Sequence, residues 1–104
     1  MEAVNDYCTH RLLIVGPIAD LKALDRVADW KQLADATDIA LVDRSPGRRL
    51  WQFVTPAPAL KSLRDLSRHW PALTFFLHYD CEDARIIGLV RAKNGQLRQH
   101  RFKY

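Results

Sequence analysis

The sequence has no long hydrophobic run: no apolar stretch exceeds four residues, as at Leu12 to Val15, against the roughly 20 needed to cross a bilayer as a helix. Residues 1 to 20 also lack the basic start and small-residue cleavage site of a secretory leader. A cytoplasmic location with no membrane contact is the resulting expectation. Cysteine is scarce, with only Cys8 and Cys81. A 104-residue chain with 48% hydrophobic residues needs no covalent staple to hold a core, so both are expected as free thiols. Internal repeats and low-complexity stretches are absent, and one domain over residues 1–104 is expected.

Catalytic motifs are missing as well. There is no P-loop, GxGxxG, GxSxG or HExxH. The one dense group of carboxylates, Asp80, Glu82 and Asp83, falls in a polar loop where solvation accounts for it. A Cys8 nucleophile with His10 or His78 is conceivable, but nothing in the sequence shows a depressed pKa or a pocket. A non-enzymatic protein without cofactor is expected.

Charge of one sign also runs out. Residues 1–43 hold eight acidic side chains against four basic, residues 44–104 hold four against twelve, and nothing acidic follows Asp83. The net charge of +4 is therefore concentrated in the second half, which favours an acidic or polyanionic partner or simply solubility.

What is present reads as alternating strands and helices. His10–Gly16 is a buried-type strand closed by Gly-Pro. From Ile18 to about Leu33, apolar residues recur at helical spacing, predicting one amphipathic helix. Asp38–Arg44 and Arg49–Thr55 read as strands joined through Ser45 to Arg48, a loop with hairpin chemistry. After Thr55–Pro58, Leu60, Leu63, Leu66 and Trp70 predict a second helix, stopped by Pro71. Leu73–Tyr79 alternates as a half-buried strand. Ala84–Lys93 and Gln96–Tyr104 flank Asn94-Gly95, the pair best suited to a type I′ turn. The expected fold is α+β: a ferredoxin-like split β-α-β-β-α-β unit with a C-terminal β-hairpin extending an antiparallel sheet, and two helices on one face.

Two residue groups could carry function. Cys8 and His10 start the first strand, and His78 and Cys81 end the fourth. If those strands pair antiparallel the four meet, and a Cys2His2 metal set is conceivable. However, C-x-H with H-x-x-C is not a standard zinc spacing, and unremarkable thiols with exposed or hydrogen-bonded histidines are the plainer reading. The second group is the C-terminal hairpin. Its turn pairs Lys93 with Gln96, Arg91 with Arg98, Leu89 with His100, Ile87 with Phe102 and Arg85 with Tyr104. Arg85, Arg91, Lys93, Arg98, His100, Phe102 and Tyr104 would then form a cationic and aromatic face able to meet phosphates and stacked bases, or an acidic partner. Basic edge strands also guard against aggregation, and the RNP aromatic signature is absent. Trp30, Trp51 and Trp70 are expected in the core or at its ends. Were Trp51 instead on the open sheet face with Phe76, that face would favour homodimerisation.

The residues Cys8-Thr9-His10-Arg11-Leu12 leading to Gly16-Pro17, followed by Phe53-x-Thr55, Leu66-Ser67, Trp70-Pro71, Leu73-Thr74-Phe75, Tyr79 and Gly88, resemble the YubB-type ferredoxin-like domain of small phage and plasmid proteins. The chain departs from that pattern at Thr55-Pro56-Ala57-Pro58, where the family has a Trp before its prolines. The resemblance implies the fold and a mobile-element setting, and brings no catalytic residue.

Overall fold

The computed structural model describes residues 7–104; residues 1–6, over which the one-domain and leader expectations also run, lie outside it. Six strands form a single antiparallel sheet in the order β2-β3-β1-β4-β5-β6. The strands are β1 (Cys8–Val15), β2 (Thr37–Ser45), β3 (Arg48–Thr55), β4 (Thr74–Cys81), β5 (Ile86–Lys93) and β6 (Gln96–Lys103), and the helices are α1 (Ile18–Val27), α2 (Trp30–Ala34) and α3 (Leu60–His69).

This corrects the expected ferredoxin-like unit with two helices: the described residues build a six-stranded antiparallel sheet with three. The helix expected from Ile18 to Leu33 breaks at Ala28, whose backbone is extended, and restarts at Asp29, whose carboxylate accepts from the Gln32 backbone N–H at 3.4 Å. The reason lies in Trp30. At 3.6 residues per turn, Trp30 would point about 180° away from Leu21 in a continuous helix, leaving a large ring in water. The break turns it inward, where it is 6% exposed and stacks on Phe53 with ring centroids 5.7 Å apart and planes at 10°. Trp51 lies on this same inner side, 5.6 Å from Trp30, and not beside Phe76 on the open face.

Alternation along each strand separates the two faces of the sheet. His10, Leu12 and Ile14 of β1, Phe53 of β3, Phe75, Leu77 and Tyr79 of β4, and Val90 and Ala92 of β5 are buried, and the apolar residues among them form one core with Leu21, Leu24, Trp30, Leu63 and Leu66 of the helices. At ~25 cal/mol per Å² of apolar surface, this shared burial is the main force holding helices to sheet. Among the described residues the opposite face carries no helix. The β5–β6 hairpin has the register its turn dictates, Lys93 opposite Gln96 through Ile87 opposite Phe102, with Asn94 and Gly95 both at positive φ. The Gly95 N–H donates to Ser67 Oγ at 2.9 Å, tying the turn to α3. No helix among the described residues is long and apolar enough to cross a membrane.

Candidate functional site

The open face is built by the residues that alternate with the core. On β1 these are Thr9, Arg11, Leu13 and Val15; on β4, Thr74, Phe76, His78 and Asp80; on β5, Ile87, Leu89, Arg91 and Lys93; on β6, Gln96, Arg98, His100 and Phe102. Across these strands the open face holds four cations, Arg11, Arg91, Lys93 and Arg98, and one carboxylate, Asp80. Arg91 lies directly opposite Arg98 on one side and Phe76 on the other. Like charges set opposite each other in a ladder repel, so this pair is better placed with an anion over it than without. Phe76 is 40% exposed and Phe102 56%, leaving two ring faces beside the cations.

The structure divides the hairpin residues expected in this site. Arg91, Arg98, His100 and Phe102 share the open face. Lys93 lies there too, but its ammonium donates to the Pro71 carbonyl at 2.9 Å and so anchors the loop after α3. Arg85 departs from the expected ladder: it sits in the turn before β5 at φ 57°, and its carbonyl accepts from the Tyr104 backbone N–H at 2.7 Å. The phenol of Tyr104 donates to Asp80 Oδ1 at 2.6 Å, a bond that raises the phenol pKa because the carboxylate holds its proton.

The expected free thiols are corrected. β1 begins two residues earlier than anticipated and β4 ends two later, so Thr9 pairs with Asp80 and the next residues out, Cys8 and Cys81, sit 4.2 Å apart at Cα and are joined as a disulfide. With both sulfurs bonded to one another, no thiolate remains to ligate a metal. The two histidines also point to opposite faces. His10 is 1% exposed on the core side, whereas His78 stands opposite Arg11 on the open face. Among the described residues no group of three or more metal-ligating side chains converges.

His10 is instead a structural bridge. Its Nδ1 donates to the Cys8 carbonyl at 3.0 Å, and its Nε2 accepts the backbone N–H of Ala59, at the start of α3, at 3.1 Å. The ring stacks on Phe53 at 5.0 Å. Burial among apolar neighbours lowers its pKa from 6.5 to about 4, opposed by the bond to Cys8 and aided by the nearby His78.

One feature of the open face was not anticipated. A depression of about 380 Å³ opens over β1 and its neighbours, lined by Thr9, Arg11, Asp38, Gln52, His78 and Asp80 among others. In the ladder, Arg11 stands between Gln52 of β3 and His78 of β4. Alternation along β1 places Arg11 on the side away from Leu12, and its neighbours depend on pairing with two distant strands. Compared with known proteins, the chain matches no family model, no curated protein and no solved structure.

Proposed function

We propose that this chain is a non-enzymatic binding module that holds single-stranded nucleic acid against the open face of its sheet, chiefly through the β5–β6 hairpin. The observation that carries this reading is the Arg91–Arg98 pair set beside Phe76: two guanidinium groups in reach of one phosphate, next to an exposed ring on which a base can stack. His100 and Phe102 continue the same surface along β6. Fluorescence anisotropy with a labelled single strand tests it, because phosphate contacts predict affinity that falls with salt and is lost in Arg91→Glu/Arg98→Glu. An acidic protein partner would engage the same cations and is separated by that assay.

A second reading is favoured by the apolar part of this face. Phe76, Leu89 and Phe102 are all at least 40% exposed, and burying them against a second copy would form a homodimer. Sizing chromatography at several concentrations distinguishes the two. The mobile-element setting implied by the YubB-type resemblance belongs to this proposal. The disulfide favours an oxidising compartment over the cytoplasm, since cytosolic thiols are generally kept reduced.

A further inference from the structure

We propose that the depression over β1 is a base-reading pocket selective for guanine, a reading that rests on the nucleic-acid function above and names what the strand presents to this part of the face. The pocket lies within the size range of small-ligand clefts, and its lining is mixed in charge, unlike the purely cationic hairpin. Arg11 supplies a guanidinium, Asp80 and Asp38 supply carboxylates, and Gln52 an amide. The ion pairs among the described residues use Arg44, Arg48 and Arg49, and Arg11 is in none of them. The Asp80 carboxylate takes one hydrogen bond, from Tyr104, and an ionised carboxylate has capacity for several.

Guanine is the base whose edges match this set. Its O6 and N7 accept two bonds from one guanidinium, and its N1–H and N2 amino group donate in parallel to a carboxylate. The spacing decides between guanine and cytosine. Arg11 is opposite His78, and Asp80 is two residues further along β4, so the two are diagonal neighbours, roughly 7–8 Å apart at the backbone. Cytosine would need its amino group and ring acceptors met by charges in mutual contact, whereas a purine places the two recognised edges apart. Adenine offers no N1–H to the carboxylate. His78, in the same row, continues through Leu89 to His100, so the pocket and the hairpin lie along one path across the strands.

The test uses the full chain with a labelled 15-residue dT tract and the same tract carrying one central dG, dA or dC, followed by anisotropy. The dG tract is expected to bind about tenfold tighter than the other three. Arg11→Gln and Asp80→Asn are each expected to reduce that preference to within about twofold. Circular dichroism melts confirm that both variants fold. A second arm titrates guanosine monophosphate alone; saturable binding that Asp80→Asn abolishes supports the pocket even if the tract does not bind, which would remove the hairpin function and leave the pocket. Equal binding of all four tracts, a cytosine preference, or a guanine preference unchanged in both variants overturns the pocket while leaving the hairpin function standing. No binding of either tract or nucleotide overturns both.

Discussion

His10 accepts the backbone N–H of Ala59 through Nε2 at 3.1 Å while donating through Nδ1 to Cys8, so one neutral ring joins the first strand to the start of α3. Protonating Nε2 would set a donor against a donor in a site 1% exposed.

That arrangement fixes the sign of a pH effect. The folded pKa, about 4, lies below the ordinary 6.5, so between these values the unfolded chain binds more protons and stability rises with pH. The stabilisation is complete above about pH 6.5, falls as pH drops toward 4, and levels off below; two and a half pKa units correspond to about 3 kcal/mol. Urea midpoints from pH 7.5 to 4 are expected to show this slope, and His10→Gln to flatten it. An unchanged slope in the variant would place its origin elsewhere.

The disulfide closes a long loop, since Cys8 and Cys81 are 73 residues apart. Loop-closure entropy for a span of this size is about 4 kcal/mol. Cys8→Ala/Cys81→Ala is expected to lower unfolding stability by roughly that amount, and dithiothreitol to destabilise the wild type but not the variant. Thiol titration of the folded wild type is expected to find neither cysteine reactive; titration of both would refute the bridge.

Gly88 is required by its neighbour. A Cβ there would overlap Cζ and Cε2 of Tyr79, whose ring lies over the glycine and whose hydroxyl donates to Gln99 at 3.1 Å. Gly88→Ala is expected to cost about 1–3 kcal/mol by overpacking. Tyr79→Leu should carry its own penalty, yet the double variant is expected to be less destabilised than the sum. Additive costs in chemical denaturation would show that the ring is not what excludes the methyl.

The sequence made the hairpin legible because Asn94-Gly95 sets its register locally, and observed and expected partners agree from Lys93 to Ile87. Helix number was not legible. Ile18 to Leu33 keeps helical spacing almost throughout, and only the need to bury Trp30 breaks it, a tertiary demand that overrides a local pattern. The disulfide was missed for a related reason: composition argued that no staple was needed, while the pairing that joins Cys8 to Cys81 depends on strand ends extending two residues beyond their apolar cores. Inward-facing His10 could have been found from the alternation Cys8, His10, Leu12, Ile14, all now buried. Arg11 was legible as an outward residue, but its place between Gln52 and His78 came only from the sheet order.

The most direct measurement is the salt dependence of single-stranded binding. With one or two phosphates met by Arg91 and Arg98, log K against log salt is expected to fall with a slope of about −0.7 to −1.4. Arg91→Glu/Arg98→Glu is expected to abolish binding while thermal stability holds. Affinity that ignores salt, or that survives reversal of both arginines, would contradict the proposed function.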